Sequence, residues 1–315
     1  MSVGTSAGKV ILAGEHAVVF GVPALAVGIE RGASATSSER HGLHSRLIIP
    51  DWRIAIDTSD RESDLARAFG TLLDEVRKYR TLARVDVEAR ASLPPGGGLG
   101  CSAALGVAIA RSLVQDDKAV EECAMAWERV FHGNPSGIDA AVCMHGGCVR
   151  FVKGQPPLHL TIGAPLFLAV GFSGESSSTR AMVTRVAELR DQQRTLVDDA
   201  FARVHSIVDQ SADAAQIGNV AALGKLLSEN QNVLAALSLS TPAIDRMCDA
   251  AESAGALGSK LTGAGGGGCV IALGLDAAAA KRVLSAWESV GFSGFATEVA
   301  VSRTRHKAPA LRVNG

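Results

Sequence analysis

Two stretches of this chain carry more glycine than an ordinary turn needs. The first is Leu93–Ala103, LPPGGGLGCSA; the second is Gly263–Gly268, with five glycines in six residues. Glycine lets the backbone adopt φ > 0 and lets another group come close to the chain. The first run opens straight into a helix-like segment, so its N–H groups and the helix start can cradle an anion. A structural tight turn explains it equally well. No G-K-[ST] follows at the P-loop spacing, and the acidic partner and βαβ pattern of a dinucleotide fold are missing. The second run lies between two strand-like runs, KLT and CVIALG. It is longer than a hairpin needs and reads as a ligand-approach loop.

What the glycines approach is narrowed by composition. The chain has 315 residues, which points to two domains. With 31 basic against 32 acidic residues the net charge is −1, which gives no reason to expect nucleic acid. Aromatics at 4% leave no base-stacking platform. The six cysteines, at 101, 123, 143, 148, 248 and 269, form no CxxC pair and no zinc spacing, and read as reduced core thiols. No signal peptide pattern is visible. No segment reaches the ~20 apolar residues of a membrane span, so a cytoplasmic setting is expected.

Periodicity places these loops among regular elements. Lys9–Ala13 and VPALAVGI read as strands separated by a tight loop. Leu47–Ile56 reads as a strand pair, Ser63–Tyr79 as a helix and Arg84–Ala91 as a half-buried strand. Ala103–Val114 and Lys118–Phe131 read as helices, and Ala140–Val152, with Gly146-Gly147, as a hairpin. Gln155-Pro156-Pro157 looks like the seam between domains. Beyond it come a strand at Leu166–Phe172, several helices over Arg180–Leu237, and a helix capped by Thr241 and begun by Pro242. The chain ends with a helix over Asp276–Val290 and a strand over Phe295–Val301, an α+β succession.

Two further stretches place charge inside apolar surroundings. In SAGKVILAGEHAVVFG, Lys9 begins a strand, and Glu15 and His16 interrupt two apolar runs. In WERVFHGNPSGIDAAV, Asp139 stands between Ile138 and Ala140, where a carboxylate needs a partner or a function, unless it caps a helix.

Together these four stretches resemble the small-molecule kinases that include galactokinase, homoserine kinase, mevalonate kinase and phosphomevalonate kinase. LPPGGGLGCSAA is similar to that family's phosphate loop and KLTGAGGGGCV to its C-terminal glycine motif, in the same order. GKVILAGEHAVVFGVPALA and HGNPSGIDAAV are most similar to its mevalonate kinases. The resemblance implies the family's two-domain α+β fold. A nucleotide-binding α+β domain is expected over 1–160 and a ferredoxin-like α+β domain, completing the substrate cleft, over 161–315. It implies ATP and Mg²⁺, mevalonate phosphorylated at its C5 hydroxyl, and a homodimer.

The site residues follow from the same resemblance. Pro95, Gly96, Gly97, Gly98, Leu99, Gly100, Cys101, Ser102 and Ala103 are expected to wrap the ATP phosphates, with Ser102 and Glu128 holding magnesium. Asp139 is the expected base and Lys9 the contact to hydroxyl and phosphate. Glu15, His16, Thr179, Arg150, Gly263, Ala264 and Gly265 are expected on the substrate side. Cys101 replaces the family's usual Ser, and Ala7 its usual Pro. Phosphomevalonate kinase is the alternative within the family, and a non-catalytic ATP-binding sensor the alternative outside it.

Overall fold

The computed structural model describes residues 2–133 and 135–301. Asn134 of HGNPSG and residues 302–315 of the expected second domain lie outside them.

The first half is built on a seven-stranded sheet. β1 (Ser2–Ala13) runs antiparallel to β2 (Ala24–Glu39). β2 is 16 residues long, so two strands can share its other edge: β6 (Cys148–Phe151) along its start and β5 (Val85–Ala91) along its end. β3 (Arg46–Ile49), β4 (Ile54–Asp57) and β7 (Leu158–Leu160) complete the sheet. β5 shows why alternation reads as a strand: Val85, Val87 and Ala89 are buried while Glu88 and Arg90 face solvent. α2 (Cys101–Leu113) and α4 (Ile138–His145) lie against β1 and β2. α1 (Asp64–Val76) and α3 (Asp117–His132) pack on each other, and α3 on α2. α1 starts where the Ser63 hydroxyl accepts the Ala66 amide, and it buries Phe69, Leu72, Leu73 and Val76.

The second half carries a four-stranded antiparallel sheet in the order β11-β8-β10-β9. Its strands are β8 (Leu166–Phe172), β9 (Gly258–Thr262), β10 (Cys269–Gly274) and β11 (Ser293–Val299). Counted along the chain, that is last, first, third, second: the ferredoxin-like order. α5 (Thr179–Gln192), α6 (Arg194–Ile217) and α7 (Val220–Ala236) fill the long connection from β8. α8 (Pro242–Ser253), capped by Thr241, leads into β9, and α9 (Ala277–Ser289), capped by Asp276, links β10 to β11. α6 also touches β1 and β2, tying the halves together.

Two expectations are corrected. Ala140–Val152 is not a hairpin: its first part is helix α4, and only its end is strand β6. Ile138, Ala141 and Val142 sit at helical spacing and pack on Val18, Ala24 and Ala26. So short an apolar run fits either period, and packing decides. The hairpin forms instead between β6 and β7. Gln155-Pro156-Pro157 lies in its turn, so this proline pair marks a turn before an edge strand and not the division between the sheets.

All six cysteines are buried and free. Burial pushes the Cys101, Cys123, Cys148 and Cys269 thiols up to about 12.

Candidate active site

The first glycine run wraps the start of α2. Gly100 is the residue before the helix, at φ +72°, and Ser102 sits in the first turn. Glycine is required at 98 in particular. Its φ is +75°, and a β-carbon there would stand 2.6 Å from the Thr262 carbonyl oxygen at the end of β9. The phosphate loop is therefore pressed against the second half of the chain.

A cavity of about 360 Å³ opens beside this loop. Gly96, Gly98, Gly100, Cys101, Ser102 and Ala103 line it, as do Glu128 on α3, Asp139 on α4 and Thr179 on α5. The Ser102 hydroxyl donates to Glu128 Oε1 at 2.5 Å, and the Trp127 indole N–H donates to the Ser102 carbonyl at 3.0 Å. Burial pushes Glu128 up to about 8; the charge of Asp139 adds to the rise and the Ser102 hydroxyl offsets part of it. His132, one turn on and 3.5 Å from Glu128, is held below the usual histidine range by burial. Among the described residues Glu128 is thus a buried carboxyl group with no Lys or Arg partner, beside a hydroxyl oxygen. That donor set fits Mg²⁺, which takes one or two protein oxygens and completes its shell from phosphate and water.

Asp139, one of the lining residues, meets Lys9, Nζ to Oδ1 at 2.9 Å. Lys9 is buried, whereas the Asp139 side chain stays 34% exposed and reachable. The Lys9 backbone N–H donates to the Leu99 carbonyl at 3.0 Å, so the strand carrying the lysine is pinned to the phosphate loop. Ala7, where the family usually has proline, pairs with Gly32 in β1, and the register shifts between Ala7 and Gly8.

The remaining sequence candidates lie elsewhere. Glu15 is turned inward and forms a fully buried ion pair with Lys260 of β9, so it offers no face to a substrate. Burial raises Glu15 and lowers Lys260, and each opposes the shift of the other. His16, at φ +61°, is also buried; its Nε2 donates to the Ala264 carbonyl at 2.7 Å, and burial lowers it to about 4. Arg150 is not at the cavity: it pairs with Asp209 of α6 at 2.9 Å. Gly263, Ala264 and Gly265 do not line the cavity either. The second glycine run is a packing hub. A β-carbon at Gly263 would be 2.8 Å from the Gly98 Cα, one at Gly265 2.5 Å from the Leu239 carbonyl oxygen, and one at Gly267 2.9 Å from the Glu175 backbone.

Sequence reasoning missed Lys260, His132 and Arg180. Lys260 carried a signal, a lysine inside an apolar run. Arg180 stood beside Thr179 in SSSTRAM; nothing local marked His132.

Residues 65–147 match the family described as GHMP kinases N terminal domain, and residues 211–292 match GHMP kinases C terminal. The chain is 31% identical to a mevalonate kinase of Thermococcus gammatolerans, over 84% of this chain and 86% of that protein. It is 30% identical to the mevalonate kinase of Mus musculus, over 96% and 95%. Its fold superposes on L. major mevalonate kinase, solved in complex with R-mevalonate, with a TM-score of 0.82 at 24% identity, covering 96% of this chain and 97% of the other. Streptococcus pneumoniae phosphomevalonate kinase, with phosphomevalonate and AMPPNP, shares the fold at a TM-score of 0.79 and 18% identity, covering 95% and 100%.

Proposed function

The chain belongs to the GHMP kinases, and on that premise we propose that it transfers the γ-phosphoryl group of ATP to the C5 hydroxyl of mevalonate, giving 5-phosphomevalonate. The observation that carries this reading is that Asp139, paired with Lys9, lines the same cavity as Ser102 and Glu128, beside the start of α2. Residues 1–160 supply the nucleotide side, and 161–315 complete the cleft.

Phosphoryl transfer through a loose transition state asks the protein mainly for positioning and charge stabilisation. Gly96–Ala103 offer backbone N–H groups, and the α2 N-terminus, to the phosphates, and Pro95 sets the turn before them. Ser102 and Glu128 are the residues that would hold Mg²⁺, which when bound neutralises phosphate charge. Asp139 accepts the proton of the C5 hydroxyl as that oxygen bonds to the γ-phosphorus and the bond to ADP breaks. A positioned base is typically worth ~10²–10⁴-fold in rate. Lys9 holds Asp139 in place and offers its ammonium to the transferred group, a role typically worth ~3 kcal/mol of barrier. Thr179, exposed at the start of α5, faces the acceptor.

Mg²⁺, a cytoplasmic setting and a homodimer belong to this reading through the family resemblance. Among the described residues no helix is long and apolar enough to cross a membrane.

The test is ADP release with magnesium-ATP, run separately on mevalonate, phosphomevalonate, homoserine and galactose. Turnover on mevalonate alone is the expected result. Turnover on another acceptor instead would keep the phosphate site and discard the substrate.

A further inference from the structure

Arg180 stands in the first turn of α5 with no role in the account above. It is the only arginine or lysine among the described residues lining the cavity, and it forms no ion pair with a described carboxylate. One terminal nitrogen lies 3.4 Å from the Phe131 carbonyl oxygen at the end of α3, a loose bond. The other donors of its guanidinium fork are uncommitted among the described residues.

Its place in the cavity limits what it can meet. Thr179, Arg180, Val183 and Thr184 follow helical spacing and turn one face of α5 to the cavity. The groups that suit phosphate, namely the Gly96–Gly100 loop, Ser102 and Glu128, all come from the first half of the chain. Arg180 comes from the second.

The proposed acceptor brings a carboxylate, and the other cations near the cavity are engaged. Lys9 is paired with Asp139. His132 sits against Glu128, Nε2 to Oε2 at 3.5 Å. Arg150, expected on the substrate side from the sequence, is bonded to Asp209. A planar guanidinium can meet a carboxylate with two parallel N–H···O bonds, which fixes orientation as well as charge.

We propose that Arg180 receives the carboxylate of the acceptor, so that the enzyme selects a hydroxy acid over a neutral polyol of the same shape. The inference rests on the kinase reading above and adds a specificity residue to it.

The experiment compares two acceptors in wild type, Arg180→Gln and Arg180→Lys. One is mevalonate; the other is 3-methylpentane-1,3,5-triol, which keeps the reacting hydroxyl and replaces the carboxylate with an alcohol. Arg180→Gln is expected to lower kcat/KM for mevalonate about 10- to 100-fold, chiefly through KM, as expected for a lost charge-assisted bond. It is expected to leave the triol within about threefold and KM for ATP unchanged, so that acid-over-triol preference collapses. Arg180→Lys is expected to restore part of that preference. A thermal melt within a few degrees of wild type accompanies these results, because the side chain is exposed. An equal fall in kcat for both acceptors would place the guanidinium at the phosphoryl group and overturn the inference. So would an unchanged preference in Arg180→Gln. Wild type inert toward mevalonate would instead remove the kinase reading, and the carboxylate assignment with it.

Discussion

The Lys9 ammonium and the Asp139 carboxylate lie 2.9 Å apart, one on the strand that opens the chain and the other on the helix after HGNPSG. The strand is fixed by the bond from the Lys9 amide to Leu99, and the helix by the packing of Ile138, Ala141 and Val142. The pair is therefore placed by rigid elements, which is what proton removal from a bound hydroxyl demands. Asp139→Asn and Asp139→Ala are both expected to lose at least ~10²-fold in kcat while ATP still binds. Single-turnover rates with nucleotide binding measured in parallel check this. Near-wild-type turnover in Asp139→Asn would leave the residue a positioning role only.

Ser102 touches Glu128 at the mouth of the phosphate loop. Ser102→Ala is expected to raise the magnesium concentration needed for half-maximal rate, with kcat at saturating metal less affected. Magnesium titration of the steady-state rate reads this directly. A superimposable titration curve would take Ser102 out of the metal shell.

Glu15 and Lys260 are both fully buried, and each is the main compensation for the other. Replacing Lys260 with Met leaves an unpaired carboxylate in the core, at a cost of about 3–5 kcal/mol. Replacing both, as Glu15→Leu with Lys260→Met, is expected to be less damaging than the single change. Urea unfolding of the two variants tests this. Additive losses would mean that the pair does not act as a unit.

His16 carries a pH signature. Burial holds it at about 4 in the folded protein, against 6.5 in the unfolded chain. Its stabilising contribution is fully present above pH 6.5 and is lost as pH falls toward 4, because the unfolded chain binds the proton first. The full span is about 3 kcal/mol. His16→Gln, which keeps a donor for the Ala264 carbonyl, is expected to flatten the decline in stability between pH 6.5 and 4. A wild-type slope in that variant would assign the acid sensitivity elsewhere.

Local patterns carried most of the elements. Caps at Ser63, Thr241 and Asp276, alternation in β5 and the helical spacing in α1 are each written in a few neighbouring residues. The two places read wrongly, α4 and the proline pair, are short segments whose conformation depends on what packs against them. The site divided the same way. Motif and resemblance singled out Asp139, Ser102, Glu128 and the first glycine run, and the fold brings them to one cavity. Glu15, His16 and the second glycine run were visible as unusual, but their role was not. Whether a charge in an apolar run faces a ligand or a counter-ion depends on a residue such as Lys260, far along the chain. Arg150 was misplaced for the same reason, since Asp209 lies on a distant helix.

The bonds around Thr262 set a timetable for synthesis. Its hydroxyl meets the backbone of Ile11, 251 positions earlier in the chain, and Lys260 reaches Glu15, 245 positions earlier. A ribosome delivers Lys9, the phosphate loop and Asp139 while the counter-ion for Glu15 has yet to be made. Through that interval the nascent first half carries a carboxylate bound for its core with nothing to neutralise it. Contacts this far apart in sequence must overcome a large loop-closure entropy before they form. Release of a truncated chain before residue 260 yields Lys9 and Asp139 without the lysine that pairs with buried Glu15.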